Sequence, residues 1–270
     1  MGETRKTTLH TLETAILGKS ALLIIDTQND FVEGGSLAVQ GGKSIVPTIN
    51  KLLSLPGFAL RIATKDFHPP DHISFARTHG KEEFADIEIH PPEDLAPDEH
   101  DRDTLGPLKQ TLWPVHCVQG TPGESLAPGL NVDALDAVVH KGTHKGVESY
   151  SAFIDPWGLC PTGLDGILKE GRVDKKSRAS GDGSEVEKTQ ADEGEERVPV
   201  KDVFIVGLAS DFCVKFTAMD AVREGYEYRT WVITDATKAI KPDEIDKHWE
   251  EMKSKGIVLV TVDEVVQKLG

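Results

Sequence analysis

Residues 21–26 (ALLIID) form a short unbroken apolar run that ends in an acid. Similar runs recur at residues 58–64 (FALRIAT), 136–140 (DAVVH), 203–208 (VFIVGL), 228–234 (YRTWVIT) and 257–262 (IVLVTV). Such runs are the pattern of strands buried on both faces of a parallel sheet. Helix-like stretches lie between several of them, notably residues 42–53 and 214–224, the second closed by Gly225 as a C-terminal stop. This alternation predicts an α/β fold, a doubly wound and mostly parallel sheet with helices on both faces. Ligands of such sheets bind outside the carboxyl ends of the strands, so the residues just after each apolar run are the first candidates for chemistry.

Two segments break the rhythm. Residues 86–109 are rich in Pro, Asp, Glu and His and read as a long surface loop leading to the WPVHC segment. Residues 171–196 contain no aromatic residue, Leu or Ile, too little apolar surface to offset the entropy of ordering, and are expected to be a disordered acidic insertion. The organisation expected is an N-terminal arm over residues 1–20 and a single domain over residues 21–270.

Composition narrows the partners. A chain of 270 residues with 38% apolar content can bury a substantial core. Its formal net charge of -15, from 45 acidic against 30 basic residues, repels nucleic acid and anionic membrane and leaves small molecules, preferably neutral ones, as ligands. No stretch approaches the ~18 to 20 uninterrupted apolar residues of a membrane span. The opening MGETRKTTLHTLETA lacks the apolar block of a secretory signal. An intracellular protein is therefore expected, with the cytoplasm first and the nucleus or peroxisome left open. Cys117, Cys160 and Cys213 are an odd number in a long chain, which favours reduced thiols over a disulfide framework.

The residues that follow the strands are Asp26, Asp66 with His68, Lys141 and Cys213, which the predicted topology delivers to one rim. Cys213 opens a predicted helix, where free N–H groups and the helix dipole are expected to lower a thiol pKa and make a nucleophile. Lys141 can stabilise a thiolate, and Asp26 can take the thiol proton and return it to a departing amine. Each residue alone has a plainer role, as core cysteine, surface cation or strand-terminal cap. Their joint placement carries the argument. Asp66 and His68 lie two apart in KDFHPPDH, so extended backbone points both to one face. His116 in WPVHC completes a set of three that suits zinc, iron or manganese and leaves a position for water or substrate. His72 is the nearest rival ligand among ten histidines.

In this order LLIIDTQNDF with GGSL, TKDFHPPDHISF, LWPVHCVQGTPG, VVHKG and GLASDFCV resemble the isochorismatase-like hydrolase superfamily, in particular its eukaryotic nicotinamidase branch. The resemblance spans residues 20–270 apart from the insertion, and the KDFHPPDHISF and WPVHC pair is its most discriminating part. It implies a catalytic triad of Asp26, Lys141 and Cys213, and metal ligands Asp66, His68 and His116 around one divalent ion, Zn2+ before Fe2+ or Mn2+. It also implies a cis peptide between Leu208 and Ala209, an oxyanion hole made by the N–H groups of Ala209 and Cys213, and a ring pocket of Phe31, Trp113 and Tyr150. The activity implied is hydrolysis of nicotinamide to nicotinic acid and ammonia through a cysteine thioester, in NAD salvage, with pyrazinamide as a second substrate. Another isochorismatase-like amidase or hydrolase, or a catalytically silent scaffold relative, is the alternative. Nicotinamide is the partner expected, with a homo-oligomer allowed and nucleic acid and membrane excluded. Phe212 stands where many relatives have Tyr or Val, a change expected to alter packing rather than chemistry.

Overall fold

A computed structural model describes residues 19–171 and 199–270. Residues 1–18 of the expected arm, and all but the first residue of the expected insertion, lie outside the described residues. The strands in chain order are β1 (Ser20–Ile25), β2 (Phe58–Asp66), β3 (Asp86–Ile89), β4 (Leu108–Thr111), β5 (Ala137–Lys141), β6 (Asp202–Leu208), β7 (Arg229–Lys238) and β8 (Val258–Val260). Six of them form one sheet in the order β5-β2-β1-β6-β7-β8, and all its pairings are parallel. Every apolar run predicted to be a strand is one of these six. Among the described residues the helices are α1 (Val46–Leu53), α2 (Ala76–His79), α3 (Glu99–Leu105), α4 (Leu164–Glu170), α5 (Cys213–Ala221), α6 (Ile245–Ser254) and α7 (Val262–Leu269). None is long and apolar enough to cross a membrane.

The two faces of the sheet follow from the period of two along each strand. Leu22 and Ile24 of β1 pack with Phe204 and Val206 of β6 against Ile49 and Leu52 of α1 and Val265 and Leu269 of α7. Ala21, Leu23 and Ile25 point the other way, with Val203 and Ile205, onto Leu168 of α4, Val214 and Ala218 of α5 and Met252 of α6. Because both faces are covered, β1 is buried at every position and, after Ser20, apolar throughout rather than at alternate residues.

The chain reverses its direction of travel across the sheet between β1 and β6, the topological switch point at which such sheets bind ligands. The two strands approach closely there. Gly207 has φ +110°, and a Cβ at that position would stand 2.0 Å from the Ile25 carbonyl oxygen. Gly207→Ala is expected to destabilise the fold by ~3 kcal/mol or more, because a forbidden backbone angle and a backbone overlap coincide. Chemical denaturation checks this, and a loss below ~1 kcal/mol would contradict it.

Residues 86–109 are not the long surface loop expected. β3 and β4 pair antiparallel, from Asp86 opposite Thr111 to Ile89 opposite Leu108, and α3 lies between them with Asp98 accepting the His100 N–H at 2.8 Å as its cap. The alternation in DIEI, with Ile87 and Ile89 on one face, explains the pairing: Ile89 joins a small separate core with Val147 and Trp157. The surrounding Pro, Asp and Glu mask that short period in the composition.

Candidate active site

Four adjacent strands each end in one chemically active residue. Lys141 closes β5, Asp66 closes β2, Asp26 follows β1, and Cys213 begins α5 just beyond β6. Parallel register sets them side by side, with Asp66 directly opposite Lys141 and Ile25 opposite Gly207. Lys141 is the hub. Its buried Nζ lies 2.9 Å from Asp26 Oδ2 and 3.4 Å from Cys213 Sγ, donates to the Ser149 carbonyl at 3.0 Å, and makes a close ion pair with Asp66 Oδ1. Asp26 is fixed from its other side by Thr64, whose hydroxyl donates to Asp26 Oδ1 at 2.6 Å and accepts the Asp26 N–H at 3.1 Å.

Burial and pairing set the charges. Burial would strip Lys141 of its proton, but Asp26, Asp66 and Cys213 outweigh it and hold the ammonium well above its usual range. Burial pushes Asp26 up, and the charge of Asp66 adds to this against the pull of Lys141. Asp66 is also buried, yet Lys141, His68 and His116 hold it ionised, below the usual carboxylate range. The Cys213 thiol departs from the sequence expectation. Burial raises it well above its ordinary value, more than Lys141 lowers it, and its hydrogen bond to Asp26 raises it further. The helix start does not leave a free thiolate. The resting thiol keeps its proton beside a carboxylate that burial has made more basic.

Asp66, His68 and His116 do converge. Asp66 Oδ2 lies 3.6 Å from His68 Nε2 and 3.8 Å from His116 Nε2, and the three ligand atoms lie within 4.8 Å of one another. His68 Nδ1 is bonded to the Gly142 carbonyl at 2.8 Å and His116 Nδ1 to the Pro114 carbonyl at 2.7 Å, which leaves both Nε2 atoms for a shared ligand. His68 Nε2 is buried without a hydrogen-bond partner. Burial and the neighbouring His68 push His116 down to about 4, the neutral state a metal needs. One carboxylate oxygen and two imidazole nitrogens fit a divalent metal ion. His72, the rival, has both nitrogens committed, Nδ1 to Ser74 Oγ at 2.8 Å and Nε2 to the Val147 carbonyl at 3.0 Å, and it stacks 3.9 Å from His68.

Gln28 grips the end of β2 at Asp66, a role the sequence reading missed. Its Nε2 donates to the Asp66 carbonyl and its Oε1 accepts the Asp66 N–H, both at 2.8 Å. It lies within the TQNDF motif, so position was legible while partner was not.

The peptide between Leu208 and Ala209 is cis. The N–H groups of Ser210, Phe212 and Val214 are bonded to the carbonyls of Lys238, Ala209 and Ala209, while those of Ala209 and Cys213 are not among the turn and loop bonds of this segment. Both residues line a pocket together with Asp66, His116 and the expected Phe31, Trp113 and Tyr150. Leu37, Val39, Glu148, Leu208, Phe212 and Ile240 complete the lining and were not singled out beforehand as pocket residues. Ile240 comes just after β7, so the rule that found Asp26 and Cys213 also reaches it. Phe212 packs edge-on to Trp113 with ring centroids 5.0 Å apart, so its packing shapes the pocket itself.

The sequence profile of the isochorismatase domain matches residues 20–175 and 173–264. The chain belongs to the isochorismatase family. A curated nicotinamidase of Acinetobacter baylyi is 37% identical over 239 residues, 88% of this chain and 90% of that protein. The solved yeast nicotinamidase bound to the inhibitor nicotinaldehyde superposes with a TM-score of 0.72 at 29% identity, covering 90% of this chain and 99% of that one. The pyrazinamidase of Pyrococcus horikoshii, solved in complex with zinc, gives a TM-score of 0.60 at 30% identity over 90% of this chain and 99% of that one. Likeness to a bacterial nicotinamidase at 37% means that the resemblance extends beyond the eukaryotic branch.

Proposed function

We propose that this protein is a nicotinamidase, which hydrolyses nicotinamide to nicotinic acid and ammonia and thereby feeds NAD salvage, and that it also deamidates pyrazinamide. The observation that carries the reading is the row of Lys141, Asp26 and Cys213, with Nζ 2.9 Å from the carboxylate and 3.4 Å from the sulfur, at the edge of a pocket walled by aromatic rings. The family match and the nicotinamidase relatives support it. A silent scaffold would have no need to bury three charged groups around a thiol, since unpaired or imperfectly paired buried charges cost stability.

Asp26 takes the thiol proton as Cys213 Sγ attacks the carboxamide carbon. Lys141 keeps its proton throughout and stabilises the negative charge that passes between sulfur and carboxylate. The N–H groups of Ala209 and Cys213 receive the oxyanion of the tetrahedral adduct. Asp26 returns the proton to the amide nitrogen, the C–N bond breaks, and ammonia leaves a thioester on Cys213. A water then attacks the thioester with Asp26 as its base, the C–S bond breaks, and the sulfur recovers its proton. Asp66, His68 and His116 would hold a divalent ion, for which Zn2+ is our first choice by donor set and by the zinc complex of the pyrazinamidase neighbour. When bound, such an ion supplies a Lewis-acidic contact that can orient a ring nitrogen.

Asp26→Asn tests the proton-transfer role because it keeps the size of the side chain and removes the base. The expected result is a ~10²- to 10⁴-fold fall in kcat, read by ammonia release. Activity within about threefold of wild type would assign the proton to another group.

A further inference from the structure

The wall of the ring pocket is tied to a residue that does not line it. Gln110 lies in β4 and is only 3% exposed. Its Nε2 donates to the Thr111 carbonyl at 2.6 Å and to the Tyr150 hydroxyl at 2.9 Å. Trp113 Nε1 donates to the same hydroxyl, also at 2.9 Å. A phenol oxygen that accepts two donors has its acceptor capacity filled, so Tyr150 is held at its oxygen end by two groups at once. The Tyr150 ring also packs against Phe212 at 5.5 Å and Phe216 at 5.3 Å between centroids. A buried glutamine costs stability unless its amide is bonded, and one of these two bonds reaches the pocket wall.

We propose that Gln110 is a positioning residue for the substrate ring. Through the Tyr150 hydroxyl it fixes Tyr150 relative to Trp113, and so sets the affinity of the pocket for flat single-ring amides. Gln110 touches no reacting atom. The proposal rests on the nicotinamidase reading of the pocket, and it gives the β3–β4 pair a purpose: one short strand places Gln110 and, three residues later, Trp113.

The test is kcat and KM for nicotinamide on the wild type, Gln110→Leu, Tyr150→Phe and the double variant. Leucine removes the donor while keeping apolar burial, and Gln110→Met, unbranched and similar in length, replaces it where leucine disturbs folding. Losing one such bond is expected to raise KM ~10-fold with kcat within about threefold, because Asp26, Lys141 and Cys213 are untouched. The double variant is expected to match Tyr150→Phe within about twofold, since without the hydroxyl Gln110 has nothing to hold. Additive losses, or an unchanged KM in Gln110→Leu, overturn the proposal. A readout independent of turnover is hydrogen exchange at the Trp113 indole N–H, assigned by NMR with Trp113→Phe. Exchange is expected to be ~10-fold faster in Gln110→Leu, and unchanged exchange also overturns the proposal. Faster exchange in a protein whose wild type releases no ammonia from nicotinamide would sink the substrate reading and leave the coupling between Gln110 and Trp113 standing.

Discussion

Cys213→Ala is expected to lower nicotinamide hydrolysis by ~10⁶-fold while the protein stays folded. The size follows from the mechanism, because among the described residues no other thiol lines the pocket to form the thioester. Cys117 is buried with its Sγ 3.9 Å from the Gly123 carbonyl, and burial raises its thiol well above the ordinary range. Cys160 is pushed up to about 11 by burial and Asp155. Neither has the neighbours of Cys213, whose sulfur meets an ammonium at 3.4 Å. Alanine variants of Cys117 and Cys160 are accordingly expected to keep wild-type kcat. The fold is spared because Cys213 is the first residue of α5, where alanine is a good helix former, and the change removes only one sulfur from the pocket edge. The checks are steady-state ammonia release and trapping of the thioester by mass spectrometry after acid quench. More than about a tenth of the wild-type rate in Cys213→Ala would exclude covalent catalysis through this sulfur.

Benzamide is expected to be hydrolysed with a kcat/KM ~10⁴- to 10⁵-fold below that of nicotinamide, whereas pyrazinamide, which keeps a nitrogen at the same ring position, is accepted. Benzamide has the same shape but no ring nitrogen, so it would gain nothing from a Lewis-acidic ion that Asp66, His68 and His116 would hold. A pocket that recognised its ligand through Phe31, Trp113 and Tyr150 alone would separate the two amides by ~10² or less. His116→Ala, or stripping metal with a chelator, is expected to lower nicotinamide turnover and shrink its advantage over benzamide toward that smaller ratio. Metal content measured on the same samples links the loss to the ion. Comparable hydrolysis of benzamide by the metal-loaded wild type would remove the ion from substrate recognition and leave the three ligands a structural role.

The strands were legible because burial on both faces demands an apolar residue at every position, a property written locally in runs such as ALLIID and VFIVGL. The candidate triad, Asp66 and His68 were legible because a parallel sheet brings its strand ends to one rim, whatever lies between them in the chain. Asp66 and His68, two residues apart in extended backbone, could be paired from their spacing, and His116 in WPVHC completed the set before the family resemblance implied the same three ligands. Conversely, DIEI and LKQT are too short to stand out against the charged residues around them. Their pairing, and with it Gln110, belongs to the tertiary structure.

Some properties have no local signature at all. The sequence places Cys213 at a helix start, which by itself lowers a thiol pKa, yet in the folded protein burial wins and the thiol stays protonated beside Asp26. His72 sits in one motif with His68 as its nearest rival for a metal, and the carbonyl of Val147, 75 residues away, commits the nitrogen that His72 could have offered. Lys141 was expected at the thiol, and the fold also gives it Asp66, a residue of its neighbouring strand. Periodicity and the order of the elements are properties of the chain, so the sequence determined the sheet and which residues reach its rim. Desolvation and competition for hydrogen-bond partners depend on what surrounds a group in every direction, so only the tertiary structure decided which of those residues is charged, which nitrogen is free, and how the pocket wall is held.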